Sequence, residues 1–309
     1  MSSQNQFYRS PLFYMGDKYK LLPEIKEHFP KNINRFVEPF TGGGSVYLNV
    51  QAKKYLLNDI DKEIVALHKF LIESSKDPDQ FFKRLTRMVK TYGLSRSFIE
   101  DVVPQKLKKE FVKTYYARFN KPGYLKLREN FNKNKKDYLK LYILLIYGFN
   151  RILRFNGEGK FNLPVGNVDF NQNTVKALKN YFEVVQSKKV NFQTKDFVQF
   201  LDQIKFAKDD FVYLDPPYLI TFGEYNKFWN EEREEELLEY LDRLTKKKVN
   251  WALSNVTDYT KRGERLENKI LKKWMKKYDV KKIKSNYISF HNNKQKAIKE
   301  ILVTNQRNK

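Results

Sequence analysis

The chain has 309 residues, of which 60 are Lys or Arg and 36 are Asp or Glu, so its formal net charge at pH 7 is +24. A hydrophobic fraction of 41% allows a large buried core and excludes a disordered chain. The absence of cysteine excludes disulfides, thiolate zinc sites and a cysteine nucleophile. With only three histidines, each alone in its neighbourhood, we expect no metal site.

The positive charge predicts a polyanionic partner, with nucleic acid as the first candidate. The alternative is a lysine-rich surface that serves solubility. The longest apolar run, YILLIYGF at 142–149, is too short to span a membrane, and the polar start MSSQNQFYRS has no signal peptide. We therefore expect a cytoplasmic protein that does not bind membranes.

The first 60 residues follow an α/β pattern. YKLLPEIKEHFP (19–30) predicts a helix, and RFVEPF (35–40) predicts a short buried strand. The turn TGGG follows, then a helix at SVYLNVQA and a second strand at KYLLND (54–59). A strand, a glycine turn, a helix and a strand in this order predict a βαβ unit.

Residues 61–189 are predicted to be mostly helical. Apolar residues recur with helical period in KEIVALHKFLIES, DPDQFFKRLTRMVKTY, PQKLKKEFVKTYYARF, KKDYLKLYILLIYGF and NQNTVKALKNYFEVV. The segment NRILRFNGEGKFNLPVGN (150–167) interrupts this pattern, because its NGEG centre indicates a β-hairpin between two short arms.

The α/β pattern returns after residue 190. Strands are predicted at VNFQTKD (190–196), FVYLD (211–215), VNWALSNV (249–256) and IKEILVTN (298–305), with YISF (287–290) pairing antiparallel to the last of them. Helices are predicted at NEEREEELLEYLDRLTKK and GERLENKILKKWMKKY. The predicted organisation is therefore a discontinuous α/β domain, 1–60 and 190–309, interrupted by the helical insert 61–189.

The glycine turn in EPFTGGGSVYLN (38–49) is the first candidate for ligand binding. It follows the carboxyl end of a predicted strand, where open α/β sheets bind ligands, and glycine lets the backbone approach a ligand closely. Neither a full dinucleotide fingerprint nor a Walker lysine accompanies it. Asp59 ends the next strand, where a carboxylate can accept hydrogen bonds from both hydroxyls of a ribose. Together these features predict a nucleoside pocket.

The strand FVYLD runs into Asp215, Pro216, Pro217 and Tyr218. Proline ends strands, but that does not account for the acid and the aromatic ring beside the prolines. The amino nitrogen of adenine is a poor nucleophile because its lone pair is delocalised into the ring. The Asp215 carboxylate and the Pro216 carbonyl could both accept from that amino group and stabilise the positive charge that develops on it. Tyr218 offers a face on which an unstacked base can lie.

DPPY together with EPFTGGGSVYLN resembles the amino-methyltransferases that use S-adenosylmethionine. Aspartate in the first position favours adenine enzymes. The order of YMGDKYKLLPEI, glycine motif, insert and DPPY resembles the Dam-type DNA adenine methyltransferases, and DPPYLITFGEYNKFW, LSNV and RFNGEGKFNLPVG look closest to the bacteriophage Dam enzymes. The resemblance implies a Rossmann-like methyltransferase core with a mostly helical target-recognition insert that carries a β-hairpin. It also implies activity in a bacterial cytoplasm, the nucleoid or a phage-infected cell.

Site residues follow from the resemblance. The cofactor S-adenosylmethionine would be contacted by Tyr14, Lys18, Glu38, Phe40, Gly42, Gly44, Asp59, Asp196, Phe197 and Asp215. The catalytic residues would be Asp215, Pro216 and Tyr218. Three alternatives remain open: Tyr14 as a core residue, Lys18 as a surface cation and Asp196 as a helix N-cap. Asp17 departs from the many relatives with Gly or Asn at this position, so the local geometry is not fixed by the resemblance.

The hairpin is predicted to enter the major groove, where base pairs can be distinguished. DNA contacts are predicted for Phe149, Asn150, Arg151, Ile152, Arg154, Asn156 and Pro164. The planar fork of Arg154 suits the two guanine acceptors, with a phosphate contact as the alternative. Ile152 could wedge into the gap left by a flipped adenine, and Pro164 could contact a thymine methyl. The resemblance supplies GATC as the target sequence.

The resulting prediction is a metal-independent enzyme that transfers a methyl group from S-adenosylmethionine to a flipped adenine in double-stranded DNA. We expect a monomer in solution, with a dimer on DNA as the alternative. Two other functions compete with this one. The chain could modify RNA or protein, or it could be a DNA-binding module with an inactive methyltransferase core. Duplex DNA is favoured by the basic insert and its hairpin, and activity is favoured by intact Asp59, Asp215 and Tyr218.

Overall fold

The computed structural model describes residues 6–221, 228–261, 264–283 and 298–306. The chain forms two compact units. The helical unit consists of Met1–Tyr19, Gly42–Asn49 and Asp61–Lys188. The sheet unit consists of Lys20–Thr41, Val50–Ile60 and Lys189–Lys309. The first 60 residues, which we assigned to the α/β domain, are therefore shared between the two units.

Every described strand belongs to the sheet unit. These strands are β1 (Arg35–Glu38), β2 (Lys54–Asn58), β3 (Val190–Gln193), β4 (Phe211–Leu214), β5 (Asn250–Lys261), β6 (Glu264–Glu267), β7 (Asp279–Lys282) and β8 (Ile298–Thr304). They form one sheet in the order β3-β2-β1-β4-β5-β8-β7, with β6 paired to β5. Strands β1 to β5 pair in parallel, whereas β6 and β8 run antiparallel to β5, and β7 runs antiparallel to β8. The predicted α/β fold is confirmed.

The helices are divided between the two units. They are α1 (Leu22–Lys26), α2 (Ser45–Asn49), α3 (Lys62–Ser74), α4 (Pro78–Thr91), α5 (Gln105–Glu110), α6 (Tyr115–Lys133), α7 (Tyr138–Tyr147), α8 (Gln172–Gln186), α9 (Phe197–Asp202), α10 (Glu231–Lys246) and α11 (Lys269–Trp274). Helices α2 to α8 lie in the helical unit, and the other four lie in the sheet unit. No helix in the described ranges is long and apolar enough to cross a membrane.

Strand β4 is buried on both faces, as its uninterrupted apolar sequence predicts for a parallel strand. On one face the rings of Phe211 and Tyr213 lie 4.7 and 5.4 Å from the ring of Phe29. On the other face Val212 and Leu214 belong to the core that α9, α10 and α11 contribute to. Because side chains alternate along a strand, four consecutive apolar residues supply two separate packing surfaces.

The antiparallel edge differs from the prediction. We predicted one helix over GERLENKILKKWMKKY, but Glu264–Glu267 forms β6 on β5, and α11 begins only at Lys269. The reason is Asn268, whose side chain accepts from the amide of Leu271 and so caps the helix there. The predicted YISF strand at 287–290 lies outside the described residues. The last described strand, β8, pairs with β5 and β7.

In the helical unit, α7 is buried almost throughout. Its sequence YLKLYILLIY is apolar on nearly all sides, which is typical of a helix at the centre of a bundle. The Tyr142 hydroxyl donates to the Pro11 carbonyl at 3.1 Å, which ties the N-terminal segment to this helix. The helix predicted over PQKLKKEFVKTYYARF is split into α5 and α6, and α6 continues through Pro122 to Lys133.

The predicted hairpin is present, although its arms are too irregular to count as strands. Isolated antiparallel bridges pair Phe155 with Phe161 and Gly148 with Val165. At the tip, the Asn156 side chain accepts from the amides of Glu158 and Lys160 at 3.2 and 2.8 Å. Asn156 therefore stabilises the turn itself.

Candidate active site at the strand ends

The sheet unit places the carboxyl ends of β1 and β4 side by side. Val37 pairs with Val212 in the parallel register of these strands. Glu38, the last residue of β1, and Asp215, the residue after β4, therefore come to the same edge of the sheet. The strand order reverses here, since β2 and β3 extend to one side and β5 to the other. Open α/β sheets bind their ligands at this position.

Asp215 and Tyr218 are in direct contact. Pro216 ends β4 because proline has no amide hydrogen to donate to a sheet. The chain then turns so that the Tyr218 hydroxyl lies 3.0 Å from Oδ1 of Asp215. The same hydroxyl lies 3.2 Å from Oε1 of Glu300 in β8. Asp215 and Tyr218 are half-buried, whereas Glu300 is 2% exposed.

The carboxylate of Glu38, like those of Asp215 and Glu300, lies close enough to Tyr213 to act on it. Tyr213 is fully buried, and its hydroxyl is 2.8 Å from that of Ser254. Burial raises the pKa of Tyr213 well above its usual value, and the negative charges of Asp215, Glu38 and Glu300 raise it further. The edge of the sheet at β1 and β4 is therefore a locally negative region. Among the described residues, no three His, Asp or Glu side chains are grouped so as to hold a metal ion.

Asn58, at the end of β2, fixes three strand ends together. Its amide nitrogen donates to the carbonyls of Pro39 at 3.1 Å and Lys195 at 2.9 Å, and its amide oxygen accepts from the Lys195 amide. Asp59 follows directly, and its own amide donates to the Gln193 carbonyl at 3.3 Å. The backbone that carries the Asp59 carboxylate is therefore held on both sides.

An aromatic cluster lies beside these strand ends. The ring of Phe40 lies 5.3 Å from that of Phe197 and 5.6 Å, edge-on, from that of Trp229. Phe197 is buried, while Phe40 and Trp229 are half-buried. The Trp229 indole donates to Oε2 of Glu234 at 2.7 Å, which fixes the orientation of the ring. The cluster offers a flat apolar surface on which an aromatic ligand can pack.

Asp196 has two partners in the structure. Its Oδ1 caps α9 by accepting from the Val198 amide at 2.9 Å, as the N-cap alternative predicted. Its Oδ2 pairs with the guanidinium group of Arg233, which also stacks 4.5 Å from the Phe197 ring centre. The carboxylate is therefore held firmly in place beside the aromatic cluster.

Glu234 is the buried centre of this part of the sheet unit. Besides Trp229, it accepts from the side-chain amides of Asn255 at 3.0 Å and Asn268 at 2.8 Å. Burial raises the pKa of Glu234, and these donors lower it again. The network connects the LSNV segment of β5 with the N-terminus of α11 and with Trp229.

In the helical unit, the glycine turn packs tightly against its neighbours. Gly42 and Gly44 have φ angles of +47° and +76°, a region that favours glycine. A Cβ atom at Gly43 would lie 2.8 Å from Cβ of Tyr14. His68 Nε2 donates to the Gly42 carbonyl at 2.9 Å. Burial lowers the pKa of His68 to about 4, so the ring is neutral at pH 7.

Tyr14 and Lys18 are both buried in the helical unit, with 8% and 4% exposed. The Lys18 ammonium group donates to the Gly16 carbonyl at 3.3 Å, so Lys18 is not a simple surface cation. Asp17 accepts from the Tyr19 amide at 2.6 Å, and burial raises its pKa. Residues around Asp17, whose local geometry the resemblance left open, thus form a local turn held by the Asp17 side chain.

The hairpin residues differ in their accessibility. Phe149 is 52% exposed, Asn150 and Pro164 are exposed, and Asn150 and Arg151 have φ angles above +50°. Ile152, which we predicted to lie on a DNA-facing arm, is only 8% exposed. Phe149 is the exposed apolar side chain of this segment.

Two basic residues of the hairpin are engaged within the protein. The guanidinium of Arg151 lies over the ring of Phe13 at 4.2 Å. Arg154 donates through Nε and one terminal nitrogen to the side chain and carbonyl of Asn162, both at 2.9 Å. The edge of Arg154 that faces Asn162 is therefore used within the hairpin.

Several residues of the site escaped the sequence analysis. Glu300 and Asn58 lie in strands and His68 lies in a helix, with no recognised motif around them, whereas Trp229 ends the DPPYLITFGEYNKFW segment but has no predicted role of its own. A weak signal exists for Glu300, which is an acid within the apolar strand IKEILVTN, and for Asn58, which precedes the predicted Asp59. His68 gave no such signal, and the contacts of both Trp229 and His68 depend on the tertiary fold.

Residues 14–288 match the family model described as D12 class N6 adenine-specific DNA methyltransferase. The modification methylase StsI of Streptococcus sanguinis is 34% identical over all of this chain and 44% of its own length. The type II methyltransferase M.FokI of Planomicrobium okeanokoites is 35% identical over 98% of this chain and 44% of its own length. The DNA adenine methylase of Escherichia coli K12 is 27% identical over 80% of each chain. The chain thus spans less than half the length of the first two relatives.

Proposed function

The chain belongs to the D12 class of N6 adenine-specific DNA methyltransferases, and we propose that it transfers a methyl group from S-adenosylmethionine to the exocyclic amino group of adenine in duplex DNA. The observation that carries the proposal is the DPPY segment at the end of β4. Its Asp215 and Tyr218 are in contact at the point where the strand order reverses. The chain also matches the family model over residues 14–288.

Asp215 and Pro216 would activate the target. The Asp215 carboxylate and the Pro216 carbonyl accept the two amino hydrogens, which favours a tetrahedral nitrogen whose lone pair is available for attack. Both acceptors also stabilise the positive charge that develops as the nitrogen–carbon bond forms. Tyr218 would stack against the base after it has left the duplex. Catalysis then depends on position and electrostatics, with no covalent intermediate on the protein.

The sheet unit is suited to hold the methyl donor, which when bound supplies a methyl group on a positively charged sulfur. We propose that Asp59 accepts from the ribose hydroxyls and that Phe40 and Phe197 pack against its adenine ring. Asp196 would accept from the adenine amino group through an oxygen that already serves as a cap or an ion-pair partner. Glu38, 2% exposed at the end of β1, would lie near the methionine portion.

In the helical unit, Tyr14, Lys18, Gly42 and Gly44 remain predicted cofactor contacts. A bulkier residue at Gly44 would overlap Tyr47 and His68, which agrees with a turn whose backbone must stay compact. The helical unit is also the proposed target-recognition region. Its exposed Phe149 and Asn150 are better placed than the buried Ile152 to enter the duplex beside a flipped adenine.

The proposed target sequence is GATC. The more specific resemblance to Dam-type and bacteriophage Dam enzymes also remains a prediction. The relative StsI is named as a modification methylase, and we propose a modification role for this chain as well. We propose that it acts on cytoplasmic DNA and is a monomer in solution, with a dimer on DNA left open. Sequencing the methylated bases in DNA from expressing cells identifies the target directly. Adenine methylation at another sequence would exclude GATC as the target but would still support the proposed methyltransferase activity.

The activity itself is tested with Asp215→Ala in a methyl-transfer assay on duplex DNA. Loss of one charge-stabilising acceptor should lower the rate on the order of 100-fold or more. The matched control is Asp209→Asn, an exposed acid before the other end of β4, which should leave the rate unchanged. A rate for Asp215→Ala within a few-fold of wild type would exclude the assigned role. Transfer to RNA in place of duplex DNA would change the substrate class.

A further inference from the structure

The hydroxyl group of Tyr218 lies within hydrogen-bonding distance of two carboxylates. It is 3.0 Å from Oδ1 of Asp215 and 3.2 Å from Oε1 of Glu300. A phenol has a single proton to donate. A full hydrogen bond from Tyr218 to one of these carboxylates therefore weakens or removes the bond to the other.

Glu300 is an unusual residue for its place in the fold. It lies in β8 among the buried Ile301, Leu302 and Val303, and it is itself only 2% exposed. A charged group in such a position is costly unless it is well hydrogen-bonded. The pairing of β8 with β5 shifts register between Val256 and Asp258, directly opposite Glu300 and its neighbour. Such irregularities redirect side chains, so the local backbone is suited to present this carboxylate.

The three groups form a compact cluster. Both Asp215 and Glu300 lie close enough to the buried Tyr213 phenol for their charges to act on it. All four residues belong to the sheet unit. Tyr218 is therefore bordered by two like-charged acceptors, one half-buried at the strand end and one fully enclosed.

We propose that Glu300 is a positioning residue for methyl transfer, which accepts the Tyr218 hydroxyl proton so that Oδ1 of Asp215 can accept from the target amino group. The inference rests on the proposed function, because it assigns Asp215 its role. When the hydroxyl donates to Asp215, part of the carboxylate's charge is already neutralised. When the hydroxyl donates to Glu300, Oδ1 of Asp215 keeps its full negative charge and can accept from the substrate amino group. The Tyr218 ring stays in place.

A double-mutant cycle separates this role from simpler ones. Glu300→Gln keeps the shape but makes the acceptor neutral and weaker, and it should lower the methyl-transfer rate about tenfold. Tyr218→Phe removes the contested proton and keeps the ring. In that background Glu300→Gln should have no further effect on the rate, because no hydroxyl remains to be drawn away from Asp215.

Glu300→Asp provides a second variant that keeps the charge and shortens the reach by one methylene group. It should also lower the rate about tenfold with Tyr218 present and have no effect with Tyr218→Phe. A role of Glu300 through its charge alone predicts wild-type activity for Glu300→Asp. This variant also tests the proposal if Glu300→Gln does not fold.

A binding measurement adds a readout that does not depend on turnover. Fluorescence anisotropy compares a duplex with adenine at the target position and a duplex with purine, which lacks the amino group. Glu300→Gln should reduce the preference for adenine about tenfold with Tyr218 present and leave it unchanged in the Tyr218→Phe background. The control is Thr304→Val, a buried substitution in the same strand that should leave rate and preference at wild-type values.

The outcomes separate a failure of the proposed role of Glu300 from a failure of the proposed function. Equal losses from Glu300→Gln in both backgrounds, or no loss with Tyr218 present, would overturn the role of Glu300 and leave the proposed function intact. Full activity of Asp215→Ala would instead remove the proposed function, on which this inference rests.

Discussion

Replacing Gly44 with alanine tests whether the glycine turn is a rigid part of the helical unit. Two penalties combine at this position. The φ angle of +76° is strained for any residue with a Cβ atom, and an added Cβ would overlap Tyr47 and lie 2.7 Å from Cε1 of His68. The His68 ring is held by its hydrogen bond to the Gly42 carbonyl, so it cannot move aside without disturbing the turn.

The magnitude follows from matched controls in the same unit. Gly93 has a similar φ angle of +61° but nothing within 4 Å of an added Cβ, so Gly93→Ala isolates the backbone penalty. We expect about 1–2 kcal/mol for that substitution. Overlap in a packed core adds about 1–3 kcal/mol, so Gly44→Ala should cost about 2–5 kcal/mol of unfolding free energy. Gly157→Ala, with an ordinary φ angle and open space, should cost little.

Chemical denaturation of the variants measures these differences, and calorimetry with S-adenosylmethionine measures the consequence for binding. Gly44→Ala should weaken cofactor binding at a temperature where the protein remains folded, whereas Gly93→Ala should not. The reasoning would be refuted if Gly44→Ala cost no more stability than Gly93→Ala, because the contacts of Tyr47 and His68 would then be too soft to matter.

Three further substitutions test other parts of the site. The pKa of His68 is lowered to about 4, so between about pH 6.5 and pH 4 the unfolded state binds a proton that the folded state does not. The free energy of unfolding should therefore fall by on the order of 3 kcal/mol as the pH falls through this range. In denaturation experiments, His68→Gln should flatten this pH dependence. Asp59→Ala should weaken S-adenosylmethionine binding by about 1.5–3 kcal/mol in calorimetry, and an unchanged affinity would place the ribose elsewhere. Arg154→Ala should reduce discrimination at guanine by about 1–3 kcal/mol, whereas an equal loss on all sequences would indicate a phosphate contact.

The parallel part of the fold follows from the sequence because its signals are local. Each of the strands RFVE, KYLLN and FVYL is a short apolar run that ends at a polar residue or a proline. The acids that end such runs in a parallel sheet reach one edge, which is why the sequence predicts that Asp59 and Asp215 lie at the same edge of the sheet.

The antiparallel part could not be predicted in the same way. The periodicity of Leu266, Ile270 and Trp274 suits a helix, yet β5 continues to Lys261 and recruits Glu264–Glu267 as its partner. Tertiary pairing outweighed local preference there, as is common for short segments. The place of Glu300 in the site could not be predicted from the sequence for a related reason. Its partner Tyr218 lies far away in the chain, and only the folded sheet brings the two residues together.

The chain as a whole is positively charged, whereas its candidate site is negatively charged. The positive charge suits the attraction of DNA, and the negative charge suits the proposed activation of the base. A net charge of +24 attracts the phosphate backbone of DNA over long distances. At the strand ends, Glu38, Asp215 and Glu300 instead surround Tyr213 with negative charge. Carboxylates at the strand ends repel phosphate but not a neutral base, so their charge disfavours the DNA backbone there more than the base. In the proposed reaction, the same charge would also stabilise the amino nitrogen as it becomes positive, so one set of carboxylates would both repel the backbone and activate the base.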